Sequence, residues 1–427
     1  MKNDIGRTAS IWVMTEEVPP QPLLVGDTHA DVCIVGAGIS GMTTAYLLGR
    51  EGKSVVVLND GFIGSGQTER TTAHLSNEID DTYSEIERLH GREAAHLVAQ
   101  SHTAAIDRIE AIVSEERIDC GFERIDGYLF VPSGDSTDVL DRELEAAQNA
   151  GLVGVELIQR APIDSFDTGP CLRFPRQGQF HPLKYLSGLA RAIRRDGGRI
   201  FIGARVEKIK GGSGAYVKTS RGNIVNADTI VVATNTPIND LFTIYTKQVR
   251  YMTYAIGACV PRGSITKALY WDTSDPYHYI RLQGIRSVRM ADEKNNKSSG
   301  HDILIVGGED HRIGQRSDAD ERYKRLGRWT LERFPMIERI GFRWSGQVIE
   351  TIDGLAFIGH NPGDESNVYI ATGGSGMGIT YGTIAGILLT DLILGRENPW
   401  ATLYDPSRKT PRTTRRFAGE DLSTQVE

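Results

Sequence analysis

The stretch Asp31-Val-Cys-Ile-Val-Gly-Ala-Gly-Ile-Ser-Gly41 sets a short apolar run directly before three spaced glycines. Val32 to Val35 reads as a buried parallel strand, being a largely β-branched run bounded by a turn signal. The apolar-rich segment Met42 to Leu48 follows with helical character. Each glycine of this strand–turn–helix unit has its own task. Gly36 allows a tight turn, Gly38 lets the backbone approach a pyrophosphate, and Gly41 lets helix and strand pack closely. The first helical N–H groups, at Ile39 and Ser40, would face the phosphates with the positive end of the helix dipole behind them. A second strand, Ser54 to Leu58, ends about 20 residues further on, where a group contacting an adenosine ribose is expected. The unit predicts dinucleotide binding.

The rest of the composition narrows the partners. A chain of 427 residues has room for two domains or one large discontinuous one. The net charge is 48 − 55 = −7, so nucleic acid is not the expected partner. The longest apolar candidate for a membrane span, Ile384 to Leu394, falls short of the roughly 20 residues required and carries Asp391. The polar N-terminus has no apolar signal core. The expectation is a soluble cytoplasmic protein with no transmembrane segment. Cys33, Cys120, Cys171 and Cys259 show no metal-ligand or disulfide spacing, so no metal site is expected. Cys33, inside the first strand, reads as a small buried apolar residue.

Residues 1–30 read as an irregular arm, since Pro19, Pro20 and Pro22 forbid continuous helix. Helical periodicity runs through 83–118, 138–150 and 183–195, the last closed by Gly197-Gly198. Strands are expected at 125–131, 199–202, 206–210 and 230–233, with a hairpin through Ser220-Arg-Gly-Asn223. From 241 to 310 the pattern becomes aromatic-rich and alternating, as in an antiparallel sheet with one face on the core. Residues 341–427 read as Gly-rich loops and one long helix. The predicted class is α/β. A Rossmann-like, mostly parallel domain (31–118, 177–240 and 345–408) is joined to a discontinuous antiparallel-sheet substrate domain (119–176 and 241–344), with a flexible tail at 409–427.

Three further motifs stand in order. They are Gly64-Ser-Gly-Gln-Thr-Glu-Arg-Thr-Thr-Ala-His-Leu75, the block from Gly203-Ala-Arg-Val206 through Ala227-Asp-Thr-Ile-Val-Val-Ala-Thr234, and Trp344-Ser-Gly-Gln347 through Asp353-Gly354 to Gly373-Gly-Ser-Gly-Met-Gly-Ile-Thr380. Over about residues 10 to 408 the chain resembles FAD-dependent oxidoreductases of the D-amino-acid oxidase type. That group includes glycine, sarcosine and glutamylputrescine oxidases. Within it the chain is most similar to a bacterial branch of longer proteins with a C-terminal Rieske domain, through Arg70-Thr-Thr-Ala-His-Leu-Ser76, Gly307-Gly-Glu-Asp-His311 and Tyr404-Asp-Pro-Ser-Arg408. No cysteine follows Cys259. Because even a mixed His/Cys centre needs two, the expected electron acceptor is oxygen, a quinone or a separate carrier.

The resemblance implies a role for each matching residue. Gly376, Met377, Gly378, Ile379 and Thr380 are expected at the flavin pyrimidine end, where backbone N–H groups stabilise the charge of the reduced ring. Thr71 and Thr72 are expected on the pyrophosphate or ribityl chain, with Arg70 on a phosphate or covering the cofactor. Val206 is expected to hold adenine through its backbone, and Ala233, in the same motif block, to contact the cofactor. Asn59 stands where the family usually carries an acidic residue for the ribose, with Asp60 next. Some relatives attach FAD through histidine, but His74 does not match the attachment position, so FAD is expected to be non-covalent. For the substrate, Arg281 is a candidate carboxylate anchor, because arginine forms bidentate pairs with carboxylates. Its other reading is an ordinary surface or interdomain arginine. Tyr251, Tyr254, Tyr277, Tyr279 and Trp344 are candidates for an aromatic cage around an amine, or sheet core. The function expected is oxidation of a C–N bond in a small amine or amino acid, with hydride leaving to flavin N5 and the imine hydrolysing. The alternatives are oxidation of a hydroxy acid, or a flavin subunit of a multi-protein electron-transfer complex.

Overall fold

The computed structural model describes residues 9–239, 244–284, 300–314 and 318–409. The strand of the opening motif, Thr28–Val35, lies between Ile224–Asn235 and Val55–Leu58 and is parallel to both. The order across this sheet is Phe357–His360, Val368–Thr372, Ile224–Asn235, Thr28–Val35, Val55–Leu58 and Arg199–Phe201. Only the first pair of this path is antiparallel. A hairpin of Val206–Lys210 and Tyr216–Thr219 extends the sheet from the first half of Ile224–Asn235. Strand alternation sends Val32 and Ile34 into one core and Cys33 and Val35 into another. Both faces are therefore dry, and the run reads as continuously apolar. Helices Ile39–Arg50 and Gly378–Ile393 share the first core, contributing Met42, Ala45, Leu48, Ile384 and Leu388.

The second sheet has nine strands and is almost wholly antiparallel. Its order is Arg339–Thr351, Gln248–Pro261, His301–Arg312, His278–Gly284, Leu269–Asp272, Glu123–Phe130, Cys171–Gln179 and His74–Leu75, with Glu156–Ile158 also on Cys171–Gln179. One face carries Tyr254, Ile256, Ile280 and Val306, packed with Leu326 and Phe334 at helix Ala319–Arg333.

Several expectations change. The arm is not wholly irregular: Ile11–Thr15 is a short helix whose Ile11 and Trp12 are fully buried. The long helical segment is two helices, Tyr83–His90 and Arg92–Glu115, broken at Gly91 with φ +86. Residues 341–409 hold strands as well as loops and helix. Strands Cys171–Gln179 and Arg339–Thr351 belong to the antiparallel sheet along their whole lengths, so the boundaries read at 176/177 and 344/345 fall inside elements. Helix Ala319–Arg333 was not expected because it buries only Leu326, Gly327 and Thr330, too narrow a stripe to read as periodic. Of the tail at 409–427, residues 410–427 lie outside the described residues. Among the described residues no helix is long and apolar enough to cross a membrane.

Candidate active site

The glycine turn is built as its spacing requires. Gly36 has φ +112, and a Cβ there would stand 2.4 Å from the Ala233 carbonyl oxygen. At Gly41 a Cβ would stand 1.9 Å from the Gly36 carbonyl oxygen, so the helix crosses the strand at a separation only glycine permits. Gly38 is the exception, with only the Thr68 hydroxyl within reach, at 3.2 Å. That hydroxyl accepts from the Ile39 N–H over 3.1 Å and fixes the start of the helix. Thr68 was not singled out from sequence, because a threonine inside a polar loop carries no periodic signal.

This turn opens into a cavity of ≈ 650 Å³ that continues to the second sheet. Gly36, Gly38, Ile39, Ser40, Asn59, Asp60, Arg70, Thr71, Thr72, Val206 and Ala233 line it. So do Gly376, Met377, Gly378 and Ile379, at the start of helix Gly378–Ile393. Two helix N-termini, from opposite ends of the sequence, thus meet one cavity. Of the residues expected to hold the cofactor, Gly41 and Thr380 are not on the wall. Gly41 acts through packing, and Thr380 is fully buried with its hydroxyl donating to the Ser76 carbonyl over 3.4 Å. Asn59 is spent on the loop itself. Its Oδ1 accepts from Ala37 N–H at 3.0 Å, and its Nδ2 donates to the Gly61 and Phe62 carbonyls, each at 3.0 Å. Asp60 is its acidic neighbour on the wall.

The loop Arg70–Ala73 is held from behind by side chains that do not reach the cavity. Trp344 Nε1 donates to the Arg70 carbonyl (2.8 Å), and Trp12 Nε1 to the Thr71 carbonyl (2.6 Å). Arg281 Nη1 donates to the carbonyls of Thr72 (3.2 Å), Ala73 (2.7 Å) and Phe180 (3.3 Å). Four consecutive carbonyls are thereby fixed, and Thr71 and Thr72 keep their place on the wall. Trp12 was missed in the sequence because its partner is 59 residues away and unrelated in pattern.

Arg281 therefore does not stand where a carboxylate anchor must. It is fully buried off the cavity, its Nη2 donates to Gln283 Oε1, and its guanidinium lies 5.4 Å from the centre of the Trp12 ring. Burial lowers its pKa to about 9, so it stays a cation at neutral pH. Tyr254 is also elsewhere: it lies on the far face of the sheet, stacked on His311 at 5.8 Å and edge-on to Tyr323 at 5.0 Å. Tyr251 packs with Val249 and Ile352, and Trp344 lies among Ile303, Ile305 and Phe342.

Tyr279 does line the cavity, with Tyr277, Trp271, Thr253 and His74. Tyr279 shares a hydrogen bond with the Thr253 hydroxyl at 2.7 Å and packs edge-on to His74 at 5.6 Å. A Cβ at Gly307 would lie 2.1 Å from the Tyr279 ring, so this glycine makes room for the phenol. Tyr277 donates to Asp80 Oδ2 over 3.1 Å. His74 Nε2 lies 3.2 Å from the Ile280 carbonyl, an obligate acceptor, so Nε2 carries the proton. Nδ1 then accepts from the Thr72 hydroxyl at 3.1 Å. Burial first, and the Arg281 charge second, depress the His74 pKa to about 3, and the ring is neutral.

The family model for FAD dependent oxidoreductases, named DAO, matches residues 31–392. YhfW of Bacillus subtilis (strain 168), named as a Rieske 2Fe-2S iron-sulfur protein, is 31% identical over 397 residues, 93% of this chain and 75% of that one. Gamma-glutamylputrescine oxidoreductase of Escherichia coli (strain K12) is 27% identical over 376 residues, covering 86% of this chain and 84% of its own. In fold, the crystal structure of glycine oxidase from Geobacillus kaustophilus matches with a TM-score of 0.70 at 20% identity, over 89% of this chain and 99% of that one. The dinucleotide turn, the second helix N-terminus on the same cavity and the matched span agree, and the chain belongs to the DAO family of FAD-dependent oxidoreductases.

Proposed function

We propose that the chain oxidises a C–N bond of a small amine or amino acid. The observation that carries this reading is the continuity of one cavity from the Gly36–Gly41 turn to the aromatic wall of Trp271, Tyr277 and Tyr279. The names of two relatives, gamma-glutamylputrescine oxidoreductase and a glycine oxidase of Bacillus licheniformis, support the same chemistry. Bound FAD would supply a two-electron acceptor for this oxidation.

The protein's share is binding, orientation and the exclusion of water. Gly36 to Ser40 and the Arg70–Ala73 loop would hold the pyrophosphate and ribityl chain, and the Gly376–Ile379 turn the pyrimidine end. Trp271, Tyr277 and Tyr279 would form a dry wall on which the substrate's carbon chain packs. His74 is a positioning residue: neutral, with both ring nitrogens engaged, it spaces Tyr279 and Trp271 and offers no free nucleophile to a flavin. The flavin is accordingly held without a covalent bond. YhfW's name favours a second reading, a flavin component passing electrons to an iron–sulfur partner; oxygen and a quinone are the other acceptors.

The test is anaerobic bleaching of the flavin by a panel of amines, D- and L-amino acids and hydroxy acids. Reduction by nitrogen compounds supports the reading, and reduction by hydroxy acids alone defeats it.

A further inference from the structure

The aromatic end of the cavity owes its depth to two glycines that no turn requires. Gly127 and Gly307 are both buried inside strands, and neither takes the positive φ that would demand glycine. Each lies instead under an aromatic ring of a neighbouring strand. Tyr279 stands directly opposite Gly307 in the pairing of His278–Gly284 with His301–Arg312, and its ring covers that bare backbone. Leu269–Asp272 pairs with Glu123–Phe130, and a Cβ at Gly127 would stand 2.5 Å from the Trp271 indole. Trp271 and Tyr279 are themselves cross-strand partners, so the two rings lie side by side on one face. Glycine weakens a strand interior and offers no side chain to pack. Two of them beneath adjacent rings mark a surface kept low for a ligand that approaches it. A side chain at either place would lift its ring off the sheet and into the cavity.

The surface so formed is apolar. Trp271, Tyr277 and Tyr279 line the cavity, with Tyr277 and Tyr279 5.5 Å apart. The Tyr279 hydroxyl is engaged with that of Thr253 at 2.7 Å. The neutral His74 ring, 5.9 Å from Trp271 and 5.6 Å from Tyr279, has Nε2 on the Ile280 carbonyl and Nδ1 on the Thr72 hydroxyl. The polar atoms of Tyr279 and His74 are thus taken up within the protein, and ring surface is left for the ligand.

Resting on the C–N reading above, we propose that Gly127 and Gly307 are specificity-determining residues. By keeping Trp271 and Tyr279 low against the sheet, they leave a slot for an amine or amino acid that bears an extended apolar or aromatic side group. A substrate as small as glycine leaves this surface uncovered, whereas each methylene laid on it adds to affinity.

The experiment is calorimetric titration of the holoenzyme with two homologous series. One is tert-butylamine, tert-pentylamine and 2-methylhexan-2-amine. The other is 2-aminoisobutyrate and both enantiomers of isovaline and of α-methylnorleucine. None has a hydrogen on the carbon bearing nitrogen, so none turns over. In at least one series, wild-type affinity should rise about fourfold per added methylene. In Gly307→Ala and in Gly127→Ala, the longest member should bind no better than the shortest. The double variant Gly307→Ala/Tyr279→Ala has no ring to displace, and decides the matter even if Gly307→Ala alone does not fold; it should regain the dependence on length. The proposal is overturned if wild type binds neither series, or if its affinity is flat or falls with length in both. It is equally overturned if the single alanine variants keep the wild-type dependence, or if the double variant lacks it. Anaerobic bleaching by pentylamine and by D- and L-norleucine, the oxidisable counterparts, is scored separately. Faster bleaching by glycine than by either norleucine also overturns the proposal. If none of these compounds bleaches the flavin but the dependence on length stands, the oxidation reading fails and the apolar slot survives.

Discussion

Arg281 Nη1 lies 2.7 Å from the carbonyl oxygen of Ala73, and this bond ties the antiparallel sheet to the loop that carries Thr71 and Thr72. Ala73 sits at φ +60, a conformation unfavourable for a residue with a side chain, and the arginine holds it there. Arg281→Met would leave the carbonyls of Thr72, Ala73 and Phe180 without their buried donor, at about 1–3 kcal/mol for each group left unsatisfied. The expected outcome is a lower melting temperature and a loss of flavin, read as the absorbance ratio of flavin to protein. Full flavin content with a raised KM for acidic substrates would return Arg281 to the role of anchor.

Gly38 and Gly41 should fail in different ways. Gly41→Ala drives a methyl group into the Gly36 carbonyl and should destabilise the protein even without cofactor. Gly38→Val meets only the Thr68 hydroxyl within the protein, so the apoprotein should fold while the phosphate place is filled. Melting curves of both apoproteins, beside their FAD affinities, separate the two effects. Equal losses of apoprotein stability would refute the distinction.

Replacing Asn59 by the acidic residue usual in the family should not improve cofactor binding. Asn59→Asp keeps the acceptor for Ala37 N–H but removes the amide that donates to Gly61 and Phe62. A cost of about 1–3 kcal/mol is expected, together with weaker FAD binding. Tighter binding in this variant would show that the ribose, and not the loop, determines the residue needed here.

His102 provides an acid-sensitive element away from the cavity. It is fully buried, Nδ1 donates to the Val98 carbonyl over 3.0 Å, and burial lowers its pKa to about 4. A histidine depressed in the folded state stays neutral there while the unfolded chain takes up a proton below about 6.5. Its contribution is therefore complete above pH 6.5 and is lost as pH falls toward 4. Compared with His102→Phe, wild type should lose about 2 kcal/mol more stability between pH 7 and pH 5. Parallel stability curves for the two proteins would exclude this assignment.

The phosphate turn was legible because its signal is local: an apolar strand, three spaced glycines and a helix within one short segment. The aromatic wall was legible only in composition. Tyr254 and Tyr279 have similar neighbourhoods in sequence, yet a strand sends adjacent side chains to opposite faces. Thr253 faces the cavity and Tyr254 the far core, while Tyr277 and Tyr279 fall on the cavity side. Which face is which depends on pairing with distant strands, and that information lies outside any local window. Arg281 illustrates the same limit. Its residue type suggested a carboxylate partner, whereas its three backbone carbonyl partners lie 101 to 209 residues away. Asp80 went unnoticed because an Asp-Asp pair before a helix looks like an ordinary solvated cap.

Strand Val368–Thr372 closes the side of Ile224–Asn235 away from the opening motif. On the ribosome, the apolar edge Ile230-Val-Val232 is therefore made well over a hundred residues before its neighbour. Until then it is an unpaired edge able to pair with another chain. Shielding of that edge during synthesis, by chaperones or by slow growth in the cold, should govern the soluble yield. Fragments ending before residue 368 should aggregate even though their phosphate-binding turn is complete.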